Sequence, residues 1–85
     1  MLTLRPHVVT ADTNGLTVLL DARSGRYWQL NQTGSTALRA LLAGRPPAQV
    51  AADIAAHSHT PETTVATDIA TLIHALITER LATDE

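Results

Sequence analysis

Asn14-Gly15 sits between two β-prone runs, and that dipeptide leaves the chain few choices. Asn and Gly accept positive φ at both central positions of a type I′ turn, whose twist matches that of paired strands. The run His7-Val8-Val9-Thr10-Ala11, just after Pro6, enters the turn, and Leu16 to Asp21 leaves it. A second turn region follows at Asp21-Ala22-Arg23-Ser24-Gly25, with Gly25 at an expected left-handed position. Arg26-Tyr27-Trp28-Gln29-Leu30 then reads as a third strand. Two hairpin connections in succession make an antiparallel meander. Its middle strand is 16–21, so 26–30 lies at an edge.

Beyond residue 30 the apolar period changes to that of a helix. Asn31 is a good N-cap, and Gln32-Thr33-Gly34-Ser35 opens the first turn. Leu38, Leu41 and Leu42 recur at helical spacing, and Gly44 ends the segment. Pro46-Pro47 starts a second helix, carrying Val50, Ala51, Ile54 and Ala55 on one stripe. His57-Ser58-His59 is a break. Thr60 is expected to cap a third helix with Pro61 at its first position and Glu62 near the positive end of its dipole. That helix is expected to run to about Arg80, with a broad apolar face of Val65, Ile69, Leu72, Ile73, Leu76 and Ile77. Ala82 to Glu85 is expected to fray.

The order is β-β-β-α-α-α. Three short strands cannot bury their own apolar face, so the helices must cover it. The expectation is an α+β fold, winged-helix-turn-helix-like, with a three-stranded antiparallel sheet followed by three helices. At 85 residues the chain is expected to be one domain, 1–85, and 45% hydrophobic residues suffice for a packed core.

A winged helix suggests DNA, but the charges disagree. Formal net charge is −2, every basic side chain is Arg, and the second and third helices offer only Arg80. Neither helix carries the cations that grip phosphates. No nucleic-acid partner is expected. No apolar run approaches a membrane span of roughly 20 residues. Met1-Leu2-Thr3-Leu4-Arg5-Pro6 lacks the charged and apolar regions of a signal peptide. A soluble, cytoplasmic chain is the expectation.

Catalytic groups are sparse. The absence of cysteine excludes disulfides, thiolate metal sites and a cysteine nucleophile. His7, His57, His59 and His74 show neither i, i+4 spacing nor a third ligand nearby, and read as solvated or locally bonded side chains. Ser24 and Ser35 lie outside any strained nucleophile elbow. Asp21, Asp53, Asp68 and Glu79 are scattered. Asp68 stands out because it borders the apolar stripe of the third helix. It is either an exposed helix residue or a charged contact at the rim of a groove. No enzymatic activity, cofactor or metal is expected.

What remains is the edge strand. An exposed edge presents unpaired N–H and C=O groups, a hazard unless protected or used. Arg26 is its only charge, and it holds both aromatic residues of the chain, Tyr27 and Trp28. Alternation places Trp28 and Leu30 on one face, Tyr27 and Gln29 on the other. Leu30 reads as core, and Trp28 as core or groove wall. A peptide can add here as a further strand, with main-chain hydrogen bonds for affinity and side-chain pockets for selectivity. The third helix presents more apolar surface than its neighbours need, and part of it can floor a cleft beside this strand.

The segment Gly25-Arg26-Tyr27-Trp28-Gln29-Leu30-Asn31-Gln32-Thr33-Gly34 resembles the G-x-Y-x-x-L-N-x-x-G stretch of PqqD-like proteins. Gly44 before a proline-started helix, and Asp68 in a last helix ending Leu76-Ile77-x-x-x-Leu81, are also similar. Such domains are recognition elements of pathways that modify ribosomally made peptides. Stand-alone chains of this size resemble the leader-binding subunit of lasso-peptide biosynthesis and the chaperone of the pyrroloquinoline quinone pathway. The hairpin Asp21 to Trp28 is nearer the former.

The resemblance implies that the leader of a precursor peptide pairs with strand 26–30 in a cleft beside the last helix. The chain would then be non-catalytic. It would hand the precursor to a separate leader peptidase, with a distinct macrocyclase closing the ring. In lasso leaders the expected motif is Tyr-x-x-Pro, for which Trp28, Ile69, Leu72, Ile73 and Leu76 would line an apolar cleft. Arg23 and Arg26 would meet acidic leader residues, while Tyr27, Gln29, Leu30 and Asp68 would complete the peptide-binding set. The alternatives are delivery of a precursor to a radical-SAM enzyme, as by the quinone-pathway chaperone, and a small DNA-binding winged helix.

Overall fold

The computed structural model describes residues 1–84. Its element order is β1 (Leu2–Leu4), β2 (Val8–Thr13), β3 (Leu16–Asp21), β4 (Tyr27–Gln29), α1 (Gln32–Leu42), α2 (Pro47–Ser58), α3 (Glu62–Thr78) and β5 (Ala82–Asp84). The meander forms as expected, with strand order β2-β3-β4 and every pairing antiparallel. Asn14 and Gly15 both take positive φ, 54° and 81°, as a type I′ turn demands. Among the described residues β4 has a neighbour on one side only. The fold is α+β, a three-stranded antiparallel sheet followed by three helices.

The two ends of the chain depart from expectation. Ala82–Asp84 does not fray: it pairs antiparallel with Leu2–Leu4 as a separate two-stranded sheet. Leu2, Leu81 and Ala82 are buried in the core, which explains why this segment stays ordered. Glu85 lies outside the described residues. The third helix stops at Thr78, two residues short of Arg80. Arg80 takes φ 59°, its N–H donates to Ile77 C=O, and the Leu81 N–H donates to Leu76 C=O at 2.8 Å. That is a Schellman cap with Arg in the position glycine usually fills. It turns the chain back so that Leu81 and Ala82 enter the core. α1 ends the same way with Gly44, φ 94°, as expected.

Two caps also differ. Thr60 does not cap α3; extended Pro61 occupies the N-cap position, with no side-chain hydrogen bond. α2 runs through His57 and Ser58 instead of breaking there, and His57 Nδ1 and the Ser58 hydroxyl both donate to carbonyls one turn back. Left-handed His59 ends it. Asn31 caps α1 as expected, its side chain accepting from Gly34 N–H at 2.7 Å.

One continuous core joins both sheets to the helices. It includes Leu19 from β3, Leu38 and Leu41 from α1, Val50 from α2, and Val65, Ile69 and Leu76 from α3. Trp28, Leu30, Leu72 and Ile73 pack against it while half-buried.

Candidate peptide-binding groove

The hydrogen-bond phase of β4 decides what its free edge offers. Leu30 N–H donates to Thr17 C=O, and Asp21 N–H donates to Arg26 C=O. In an antiparallel ladder the backbone groups of alternate residues point to opposite sides. Residues 26, 28 and 30 therefore face β3, and Tyr27 and Gln29 turn their N–H and C=O groups to the open edge.

That edge runs beside α3. The Arg26 guanidinium lies 3.5 Å from a Glu79 carboxylate oxygen at one end. At the other, Gln29, Leu30 and Asn31 line a hollow of about 400 Å³ together with Gly34 of α1 and Asp68, Ile69 and Leu72 of α3. Four residues of strand cover roughly 13 Å and seven of helix roughly 10 Å, so edge and helix keep pace along the groove. The hollow mixes apolar floor with polar rim. Ile69 is buried beneath it, Leu72 is half-buried, and Asp68 is exposed.

Trp28 points from β4 to the helix-covered face of the sheet, the face shared with buried Leu19. Arg26 lies over its ring, 4.8 Å from the centroid, and so strips water from one indole face while it reaches Glu79. Tyr27 is 71% exposed on the opposite face of the sheet.

The site is held from below by Ser35, which is fully buried. Its hydroxyl accepts the Thr17 N–H at 2.8 Å and donates to Leu30 C=O at 3.4 Å. Ser35 thus stands in for the strand partner at the last rung and ties α1 to the point where β4 ends.

The sequence-derived residues divide as follows. Arg26, Trp28, Gln29, Leu30, Asp68, Ile69 and Leu72 lie along the groove or its ends. Ile73 does not join them; it lines a different hollow, with Met1, Leu2, Leu41 and Gly44. Leu76 is in the core, and Arg23 is exposed in the β3–β4 turn. Sequence reasoning missed Asn31, Thr33, Gly34, Ala37 and Thr71 as lining residues, and Ser35 and Glu79 as supports. Ser35 was findable, since it falls in helical phase with Leu38 and Leu42.

The turn before β4 is fixed by Asp21. Its Oδ1 accepts the Arg23 N–H at 2.9 Å. That bond, with help from Ser24 and the nearby His7, holds the carboxyl below the ordinary aspartate range against the opposing effect of burial. Among the described residues no group of three His, Cys, Asp or Glu side chains is placed to hold a metal ion. Among the described residues no helix is long and apolar enough to cross a membrane.

Meander, three helices and an open edge beside the last helix define a small winged-helix-like module. The chain belongs to the PqqD family: the model of coenzyme PQQ synthesis protein D matches residues 17–82. Among solved structures it is similar to lasso peptide synthetase B1 complexed with the leader peptide, with 38% identity over 98% of each chain and a TM-score of 0.90. It is also similar to TbiB1 in complex with the TbiA(beta) leader peptide, at 27% identity over 96% of this chain and 95% of that one, TM-score 0.83. No curated protein matches it.

Proposed function

We propose that this chain, as one domain, is a non-catalytic recognition element for the leader segment of a ribosomally made precursor peptide of the lasso type. The leader adds as a strand to β4 and lies in the groove beside α3. The observation that carries this is the free edge of β4, with Tyr27 and Gln29 offering their backbone groups next to a groove floored by Ile69 and Leu72. Two similar structures, both with leader peptides, support it.

Main-chain pairing supplies affinity that tolerates sequence change, and the groove supplies selectivity. Trp28, Leu72 and the floor at Ile69 take apolar leader side chains, and Arg26 takes an acidic one. Arg23, from its turn, extends the positive charge. The loaded chain then presents the precursor to a separate leader peptidase, upstream of a macrocyclase. The family description, coenzyme PQQ synthesis, favours a second reading: the peptide is a quinone-cofactor precursor, delivered to a radical-SAM enzyme. It uses the same edge with a different peptide.

The test is a titration of the chain with synthetic leaders of both kinds, following emission of Trp28, the only tryptophan. Saturable 1:1 binding of a lasso-type leader, weakened by proline at alternate leader positions, is expected. Unchanged affinity across a complete proline scan would remove strand addition. Preference for the quinone-precursor leader would move the chain to the second reading.

A further inference from the structure

A second hollow lies on the other side of α1, and the strand-addition groove leaves it unused. It measures about 380 Å³, close to the hollow beside β4, and opens between α1 and α2. Val50 is buried at its floor, with Ala40 and Ile54 half-buried around it. Gln32, Thr36, His57 and Ser58 form a polar rim. His57 Nδ1 and the Ser58 hydroxyl are each held on a carbonyl of α2, so this part of the rim is set in advance. Arg45 and Asp53 also line the hollow, but they pair with each other and leave its wall without net charge. An apolar floor with a few fixed polar groups is the form of a ligand site.

Continuity with the groove chooses the occupant. Thr33 lines both hollows, so only the first turn of α1 separates them. The short connection 43–46 joins α1 to α2, which puts the open end of the hollow where α1 begins and α2 ends, at Gln32 and His57. β4 runs out at that same place, since Asn31 caps α1 two residues after Gln29. A strand that continues the antiparallel sheet beyond β4 runs opposite to it, and so brings its N-terminal end to Gln29. From there the peptide meets the first turn of α1. A helix with its side chains is about 10–12 Å across and an extended residue covers about 3.3 Å, so about four residues carry the peptide over.

We propose that the hollow between α1 and α2 is a second subsite for the same peptide. It takes one large uncharged apolar or aromatic side chain, about four residues N-terminal to the residue paired with Gln29. A closed cavity of about 150 Å³ already holds benzene, so this open one accepts a single ring or branched side chain with water at its rim. Resting on the peptide-binding reading above, the subsite adds a second anchor at a fixed spacing from the strand, and so selects leaders by what precedes their paired stretch.

The experiment uses two synthetic leaders of the precursor encoded beside the chain's gene: the full leader, and one cut just before the paired stretch that the proline scan locates. Calorimetry gives the affinity of each for wild type, Thr36→Lys and Ile54→Ala. Thr36 is exposed on the rim, so its replacement spares the fold even where Ile54→Ala does not. Shortening the leader should weaken wild-type binding about tenfold, as for loss of one apolar anchor. Both variants should bind the full leader about tenfold more weakly than wild type, and the short leader within about twofold of it. A spin label at the N-terminal end of the full leader should broaden the His57 resonances. Equal wild-type affinity for the two leaders, or variants that weaken both leaders alike, overturns the subsite and leaves the edge groove standing. Broadening of His57 by a label at the C-terminal end instead overturns it too, by reversing the peptide. A wild-type chain that binds neither leader fails the peptide reading itself, and the subsite falls with it.

Discussion

Ser35 Oγ accepts the Thr17 N–H at 2.8 Å inside the core, where neither residue meets solvent. This contact, with the same hydroxyl's donation to Leu30 C=O, is where the sheet is fastened to α1. It fixes the end of β4, and hence the mouth of the groove. Ser35→Ala leaves the Thr17 amide buried without a partner, at a cost of about 1–3 kcal/mol. Denaturant unfolding should show that loss. The exposed neighbour Thr36→Ala should change stability by less than about 0.5 kcal/mol. Equal effects of the two would mean the buried bond contributes nothing.

Leu72 and Leu76 lie one helical turn apart in α3 but face different tasks. Leu76 is core, and Leu72 lines the groove half-buried. Leu76→Ala should cost about 2–5 kcal/mol of stability. Leu72→Ala should cost clearly less, while lowering leader affinity about tenfold through the lost apolar contact. A Leu72→Ala chain that binds leader normally would take this side chain out of the site.

Arg26 bridges the far end of the groove, but its pair with Glu79 is well exposed on both sides. Such pairs contribute about 0–1 kcal/mol, so Arg26→Gln should barely alter the melting temperature. It should shift Trp28 emission, because the guanidinium leaves the ring. It should also weaken binding of an acidic leader and flatten its salt dependence. Unaltered salt dependence would remove the charge contact.

Asp21 gives the β3–β4 turn a pH response. Its carboxyl is held below the ordinary range in the folded state, chiefly by the Arg23 N–H. The carboxylate therefore stabilises the fold fully above its unfolded value, and that contribution is lost as pH falls through the lower folded value. Wild type should exceed Asp21→Asn in denaturant midpoint at neutral pH, and the gap should close in acid. A gap that is constant over the acid range would place the effect elsewhere.

Local signals made much of this fold legible. Asn14-Gly15, Gly25, Asn31 and Gly44 each need a particular backbone state, and each has it. The edge position of β4 followed from two successive turns, and the opposite faces of Tyr27 and Trp28 from alternation. The β1–β5 sheet was not legible, because three-residue strands at opposite ends of the chain have no local signature. Nor was the reversal at Arg80, since the cap there uses a residue that ordinarily avoids positive φ. Period alone does not fix the rotation of α3, and by sequence Ile73 falls in the groove with Leu72. Packing turns Ile73 toward Met1 and Leu41 instead.

Amide exchange at β4 addresses strand addition most directly. The Tyr27 and Gln29 N–H groups face the open edge, whereas those of Trp28 and Leu30 face β3. Saturating leader should protect Tyr27 and Gln29 strongly and leave Trp28 and Leu30 nearly as before. If Tyr27 and Gln29 exchange as fast with leader bound as without it, the peptide does not pair with β4 and the account is wrong.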